Sequence, residues 1–292
     1  MKLYKYFRAY LWEKIIRDQK IRFSQPSVLN DPFEMQAIYE SLAEDLDVVT
    51  RLKDEYDLDT VTNEALAENF AQILGDLGRQ IPNDWLLTLA AMSRPMAPLL
   101  VNPILDFTTA FVGREITKSL DNGVGVFSLS EKCDDLLMWA HYADSHHGVV
   151  IGFENTHPFF DQRNHDDDPF RLLKPVEYSQ SRPRVKGLNL DDLVAALTLK
   201  SEEWAYEKEW RFLQALSLAN EIDENGADTI FLFDYPADSV SEIIIGCRTD
   251  NLIRQEIIEY VFSEELYSHV NIFLAELSES EFKVELKKVD RS

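Results

Sequence analysis

The middle of the chain contains an uninterrupted apolar stretch, Val-Val-Ile-Gly-Phe at residues 149–153. A strand that is buried on both faces is apolar throughout, whereas a half-buried strand alternates apolar and polar residues. We therefore predict a central strand of a β-sheet here. A second β-prone segment at residues 124–128 precedes it, and the apolar spacing between the two predicts a short helix over residues 136–143.

Further strands and helices are predicted on both sides of this region. The pattern predicts helices at residues 11–16, 190–204 and 251–262, and extended segments at 3–7, 20–24, 210–216, 230–233, 243–245, 273–277 and 282–289. The predicted fold class is α+β. We expect a single domain over residues 1–292 with one mixed or antiparallel β-rich core.

Residues from about 37 to 120 have a different composition from the rest of the chain. Leu, Ala, Ile and Glu recur there with helical spacing, and residues 40–64 hold nine acidic residues against two basic ones. This pattern predicts a helical insertion. It is either a solvated cap, or a lid or surface that binds a protein partner.

The charge of the chain limits the partners that it can bind. The 292 residues carry a formal net charge of −23, and 45% of them are hydrophobic, which excludes wholesale disorder. Proteins that bind nucleic acid without sequence preference need basic surface, so we do not expect this function. A local basic pocket for a small phosphorylated ligand is compatible with the charge. Two cysteines, no leader and no membrane-length apolar run predict a cytoplasmic protein.

Known catalytic signatures do not identify the chemistry. The sequence has no Walker phosphate loop, no complete dinucleotide-binding glycine motif, no His-Glu-x-x-His zinc motif and no Gly-x-Ser-x-Gly nucleophile elbow. Candidate site residues must therefore come from local polar clusters.

Three polar clusters stand out. Ser128 and Ser130 alternate along the end of a predicted strand and so share a face, although Ser130 could also cap a helix. His141 and Asp144 share a helix face, with His147 just beyond. His141 is a core histidine, a catalytic group, or a zinc ligand together with Asp144 and His147.

The third cluster is Tyr-Glu-Lys-Glu-Trp-Arg at residues 206–211. In an extended conformation, Glu207, Glu209 and Arg211 lie on one face. They are either part of a site or an ion pair that joins two strands. Trp and Tyr are dense around all three clusters, which favours a single cleft over an inert aliphatic core.

Several motifs together resemble a widespread bacterial family of proteins of unknown function. They are Asn-Asp-Pro-Phe-Glu at residues 30–34, Leu-Met-Trp-Ala-His-Tyr-Ala-Asp at 137–144 and the cluster at 206–211. Outside residues 40–120 the resemblance covers nearly the whole chain. It implies no particular activity.

The order of elements is also similar to that of ADP-ribosyltransferase-like folds, which use NAD. This resemblance implies that Glu209 holds the ribose and stabilises the oxocarbenium-like transition state, that Glu207 orients the nucleophile and that Ser128 supports Glu209. It further implies that Tyr142 or Trp139 stacks on nicotinamide, and that Lys5 or Arg8 contacts the diphosphate. Lys5 stands where those folds carry an Arg or His.

Three functions stay open from the sequence. The first is an NAD-dependent transferase or NAD-cleaving effector, as in a toxin or a phage-defence system. The second is a non-enzymatic module that binds a small ligand or a protein, and the third is a metal-dependent nuclease or hydrolase built on His141, Asp144 and Glu209. The candidate catalytic residues are Glu209, Glu207, Ser128 and His141, and the candidate nucleotide-binding residues are Lys5, Tyr6, Arg8, Ser130, Trp139, Tyr142 and Arg211.

Overall fold

A computed structural model describes most of the chain outside the segment between residues 42 and 113. The described residues are 1–33, 37–41, 62–73, 83, 87, 114, 116–163, 165–166, 168, 170–186, 190–226 and 228–291. The chain divides into two compact units. The first comprises Met1–Gln36, Ser119–Arg182 and Val194–Ser292, and the second comprises Ala37–Lys118 and Pro183–Leu193.

The described residues include four α-helices with defined bounds and fifteen strands, and residues 116–123 are also helical. The helices are α1 (Asn63–Ile73), α2 (Leu136–Tyr142), α3 (Leu190–Leu197) and α4 (Asn251–Ser263). The strands are β1 (Lys2–Phe7), β2 (Lys20–Phe23), β3 (Ile38–Ser41), β4 (Val124–Ser130), β5 (Val149–Glu154), β6 (Leu173–Pro175), β7 (Glu177–Ser179), β8 (Arg184–Lys186), β9 (Leu199–Ser201), β10 (Glu209–Ala215), β11 (Glu221–Asp223), β12 (Ile230–Asp234), β13 (Val240–Ile245), β14 (Asn271–Leu277) and β15 (Val284–Val289).

An eight-stranded sheet forms the framework of the first unit. Its strand order is β15-β14-β13-β5-β1-β4-β10-β6, and its pairs are antiparallel except for the parallel pair β13–β14. The first unit also contains the three-stranded sheet β11-β12-β2 and the parallel pair β7–β9, and the second contains the parallel pair β3–β8. The predicted α+β class with a mixed sheet is confirmed.

The apolar stretch at 149–153 is the central strand that its composition predicts. As part of β5 it pairs with β1 on one side and β13 on the other, and Val149, Val150, Ile151 and Phe153 are buried. Side chains that alternate along the strands enter two apolar clusters. One cluster contains residues of α4, and the other contains Met138 and Trp139 of α2. The sheet therefore has a helix packed on each face.

Two predicted helices differ from the observed ones. Residues 11–16 form the end of a 3-10 turn, Ala9–Leu11, and most of a single π-helical turn, Glu13–Arg17. The helix predicted over residues 190–204 was wrong beyond Leu197. After it, β9 pairs with β7, and Glu202–Glu207 forms a 3-10 helix, because pairing with a distant strand overrides the local helical pattern.

The predicted insertion over about 37–120 lies largely outside the described residues. Its described parts include β3 and α1 in the second unit. The single domain, the insertion and its role as a protein-binding surface stay predictions. No helix among the described residues is long and apolar enough to cross a membrane.

A strained turn fixes the end of α2. Asp144, Ser145 and His146 have φ values of 49°, 53° and 71°, a conformation that non-glycine residues adopt rarely. The Arg248 amide donates to the His146 carbonyl, and the Thr249 hydroxyl lies 3.0 Å from the carbonyl oxygens of both His147 and Gly148. The loop between β13 and α4 thus holds the turn in place.

Gly246 allows this close contact between backbones. A Cβ atom at residue 246 would lie 2.3 Å from the carbonyl oxygen of His146 and 2.7 Å from that of Gly148. Because backbone cannot yield as a side chain can, we expect Gly246→Ala to lower the free energy of unfolding by about 1–3 kcal/mol. Gly123→Ala is the matched control, since nothing lies within 4 Å of the new methyl group. Urea denaturation measures both variants, and equal stabilities would contradict the close packing of this turn.

Candidate functional site

A cavity of about 270 Å³ lies within the first unit. Side chains of β1, β4, α2, β9 and β10 contribute to its walls, together with residues 28–30. The cavity brings together eight of the site residues predicted from the sequence: Lys5, Tyr6, Ser128, Ser130, His141, Tyr142, Glu207 and Glu209. It also contains Lys200, which no sequence pattern indicated.

Four buried charges form one network, and three of them, Lys200, Glu207 and Glu209, lie in the wall of this cavity. The ammonium Nζ of Lys200 lies 2.7 Å from Glu207 Oε2 and 3.0 Å from Glu209 Oε2. The guanidinium of Arg211 binds Glu209 through two nitrogens, with Nε 2.9 Å from Oε1 and Nη2 3.0 Å from Oε2. All four side chains are at most 5% exposed. We refer to these residues as the four-charge network.

The four-charge network is balanced, with two cationic and two anionic side chains. Burial would lower the pKa of the Lys200 ammonium, but the charges of Glu209 and Glu207 outweigh burial and raise it. Burial also raises the pKa of the Glu209 carboxyl, although Lys200 opposes that rise. Each charge therefore depends on its partners, because an unpaired charge at this depth would be very costly.

Neighbouring groups complete the hydrogen bonding of the two carboxylates. The Tyr142 hydroxyl donates to Glu207 Oε1 over 2.5 Å. The Ser130 hydroxyl donates to the backbone carbonyl of Glu207 over 2.6 Å and so positions the residue rather than its carboxylate. Interaction with the Ser128 side chain lowers the pKa of the Glu209 carboxyl and so opposes the effect of burial. Burial raises the pKa of the Tyr142 phenol, and the charge of Glu207 raises it further. The phenol therefore stays protonated and remains a hydrogen-bond donor.

The local backbone explains how Glu207 and Glu209 meet. Glu209 and Arg211 share one face of β10, as alternation predicts. Glu207 does not lie on that strand, so the prediction of a single extended segment was wrong. It ends the 3-10 helix Glu202–Glu207, and Lys208 then takes a left-handed conformation with φ 43° before β10 begins.

Lys200 was missed because residues 190–204 have a helical pattern. It lies on β9, where it pairs with Tyr178 of β7, and its ammonium is 5.1 Å from the centre of the Trp204 ring. A signal that could have found it is the charge of the 206–211 cluster. If Glu207 and Glu209 are both buried, Arg211 alone cannot neutralise them, so a second buried cation is expected from elsewhere in the chain.

Lys5 lines the cavity, and its role as a ligand contact stays a prediction. Its ammonium donates to the Ser128 carbonyl over 3.1 Å and lies 5.2 Å from the centre of the Phe127 ring. Burial lowers the pKa of Lys5 to about 8, with Glu209 opposing the shift and Arg22 adding to it. Tyr6 also lines the cavity, but its hydroxyl donates to the Lys132 carbonyl.

Three predicted ligand contacts lie outside this cavity. Trp139 is wholly buried, donates to the Cys133 carbonyl and packs against Tyr6 and His146, so the expected stacking surface is Tyr142 alone. Arg211 is also wholly buried and binds Glu209, which corrects its predicted contact with a ligand. Arg8 is exposed and contacts Tyr10.

His141 is exposed at the cavity, so its interpretation as a core histidine was wrong. Within the part of the chain that the structure describes, no three His, Cys, Asp or Glu side chains gather as a metal site would require. The suggested zinc site of His141, Asp144 and His147 was therefore wrong. The suggested metal-dependent hydrolase loses its basis for the same reason.

Comparison with known proteins agrees with the resemblance to a family of unknown function. A family model described as "Protein of unknown function (DUF2971)" matches residues 138–212, about a quarter of the chain. The match covers Tyr142 and all four residues of the four-charge network. Over this region the match agrees with the predicted resemblance to such a family. No curated protein and no solved structure matches the chain, and nothing in these comparisons supports the similarity to ADP-ribosyltransferases.

The four-charge network predicts a pH-dependent cost for loss of Lys200. We expect Lys200→Met to lower the free energy of unfolding by about 3–5 kcal/mol near neutral pH, because two buried carboxylates lose their shared cation. A carboxyl whose folded pKa is raised stabilises the protein below its unfolded pKa, near 4, and this contribution is lost as pH rises. Since loss of Lys200 raises the pKa of Glu209 further, the cost grows from pH 5 to pH 8.

Urea denaturation at both pH values measures this difference. Lys288→Met is the control, since Lys288 is exposed on the edge strand β15 and its loss changes the net charge equally. A Lys200→Met cost that is the same at both pH values, or no larger than that of the control, would contradict the proposed electrostatics.

Proposed function

We propose that the chain binds a small ligand of the nucleoside or nucleotide class in the cavity beside the four-charge network. One observation carries this proposal: two buried carboxylates, neutralised by buried cations, line a cavity. Buried ion pairs are weak devices for stability, since apolar residues of equal volume often stabilise a fold as well or better. Their presence in a cavity wall therefore favours recognition.

The chemistry of the wall selects the ligand class. Carboxylates accept hydrogen bonds from hydroxyl and amino groups, and Glu207 and Glu209 are held in fixed positions by Lys200 and Arg211. Tyr142 contributes an aromatic ring and His141 an exposed imidazole. A cavity of about 270 Å³ is near the lower end of the range that holds small ligands, which suits a sugar with one base.

NAD cleavage is a second candidate, favoured by the placement of Glu207, Glu209, Ser128 and Tyr142 around one cavity. In that reaction the nicotinamide–ribose bond breaks and its electron pair goes to the nicotinamide nitrogen. Water adds to the ribose carbon and releases a proton, which gives ADP-ribose and nicotinamide. In a toxin or phage-defence system such cleavage would consume NAD.

The ion pairs favour binding over cleavage. A carboxylate that stabilises an oxocarbenium ion acts through its negative charge. Here Lys200 and Arg211 neutralise Glu209, and Lys200 and Tyr142 contact Glu207. Binding is thus the function that the geometry supports best.

Isothermal titration with adenosine, AMP, ADP-ribose and NAD tests the binding proposal. We expect at least one of these ligands to bind, and Glu207→Gln to weaken it by about 10-fold or more, because one carboxylate acceptor is lost. Glu221→Gln is the control, since Glu221 pairs with Lys14 and belongs to the three-stranded sheet. Absence of binding by all four compounds, or equal effects of the two variants, would overturn the proposal.

Release of nicotinamide from NAD tests the second candidate. If cleavage occurs, chromatography detects nicotinamide and ADP-ribose in equal amounts, and Glu209→Gln slows their release by about 100-fold or more. Binding of NAD with no nicotinamide released over hours would exclude cleavage and leave the binding function intact.

A further inference from the structure

A second cavity of about 370 Å³ adjoins the first. Lys5, Tyr6, Ser24 and Tyr142 line both cavities, so one ligand can extend from one into the other. The second cavity differs from the first in charge. Its described lining contains three basic residues, Lys5, Arg8 and Arg22, and no Asp or Glu.

Arg22 is the residue that sets this cavity apart. It lies on β2, where its backbone pairs with Leu232, and it is part-buried. Its side chain makes no ion pair or hydrogen bond within the described part of the chain, and its Nε is buried without a partner. A guanidinium has five N–H donors in a planar fork that matches the oxygens of a phosphate or a carboxylate. A part-buried guanidinium without an acceptor therefore points to an acceptor that a ligand supplies.

Lys5 and Arg22 also repel each other. The charge of Arg22 contributes to the low pKa of Lys5, and no carboxylate lies within ion-pairing distance of Lys5 among the described residues. The first cavity, by contrast, has its carboxylates fully neutralised by Lys200 and Arg211. The two cavities together therefore have an excess of positive charge at one end, inside a chain of net charge −23.

We propose that the second cavity is an anion subsite, in which Lys5, Arg22 and Arg8 hold the phosphate or diphosphate group of a ligand whose sugar and base occupy the first cavity. This inference rests on the proposed function and deepens it. The ligand class becomes a nucleotide, and Arg22 becomes a binding residue that neither the motifs nor the four-charge network indicated. Tyr10, whose hydroxyl contacts Arg8, lies at the same end.

Titration with inorganic pyrophosphate tests the anion subsite alone, because pyrophosphate has no sugar or base to occupy the first cavity. We expect the wild-type protein to bind pyrophosphate, and Arg22→Gln to weaken this binding by about 10-fold or more, because a charge-assisted, two-point contact is lost. Lys288→Gln is the control for the change in net charge. Arg22→Lys keeps the charge without the fork and is expected to bind with intermediate affinity. Thermal unfolding verifies that each variant is folded.

Adenosine binding distinguishes a failure of the anion subsite from a failure of the proposed function, because adenosine has a sugar and a base but no phosphate. Arg22→Gln is expected to leave adenosine binding unchanged while it removes the extra affinity of ADP over adenosine. If wild-type protein does not bind pyrophosphate, or if Arg22→Gln and Lys288→Gln behave alike, the anion subsite is wrong. If pyrophosphate binds but no nucleoside or nucleotide does, the anion subsite stands and the nucleotide class is wrong.

Proton uptake gives an independent readout of Lys5. Glu209, Glu207 and Arg22 are the charges that act on Lys5, and Tyr142 and Arg8 line the same cavity. A bound anion raises the pKa of Lys5 from about 8, so binding of sulfate, which has no titratable proton at pH 8, takes up a fraction of a proton. Titration in two buffers of different protonation enthalpy measures the uptake, and Lys5→Met is expected to abolish it. No uptake by wild-type protein, or unchanged uptake by Lys5→Met, would contradict the contact between Lys5 and the anion.

Discussion

The ammonium of Lys200 lies between two buried carboxylates, and the rest of the cleft depends on this interaction. Through Glu207 it connects β9 to the 3-10 helix Glu202–Glu207, and through Glu209 to β10. Arg211 extends the contact to the carbonyl of Leu197 at the end of α3. Because a buried charge without a partner is so costly, each element can take only the position that keeps the charges paired. The carboxylates consequently face the cavity in fixed positions.

The C-terminal end of helix α2 is held against the four-charge network. Tyr142, its last residue, donates to Glu207, while the left-handed residues Asp144, Ser145 and His146 turn the chain back toward β5. Strained backbone of this kind persists where the surrounding structure requires it, and it is frequent at binding sites. In this protein the requirement comes from the backbone contacts at Gly148 and Gly246. The positions of His141 and Tyr142 thus follow from packing that is not part of the cavity.

The sequence is informative where local pattern and tertiary structure agree. The apolar stretch at 149–153 predicts β5 because a strand buried on both faces has no polar positions, and alternation alone places Glu209 and Arg211 together. The sequence is uninformative where contacts between segments that are distant in the chain determine the local structure. Lys200 lies on a strand that forms only because β7 is present, and Glu207 reaches the cavity through a left-handed Lys208 that no propensity predicts. Trp139 and Tyr142 are aromatic neighbours in one motif, and only packing shows which of them is buried.

The cleft has two chemically distinct ends that Lys5 and Tyr142 join. One end carries neutralised carboxylates, and the other carries cations without acid partners among the described residues. A crystal structure of the protein with bound ADP tests this arrangement most directly. We expect phosphate oxygens within hydrogen-bonding distance of Lys5 Nζ and the Arg22 guanidinium, with ribose hydroxyls against Glu207 or Glu209. ADP bound in the reverse orientation, or at a site that includes neither Arg22 nor Glu207, would contradict it.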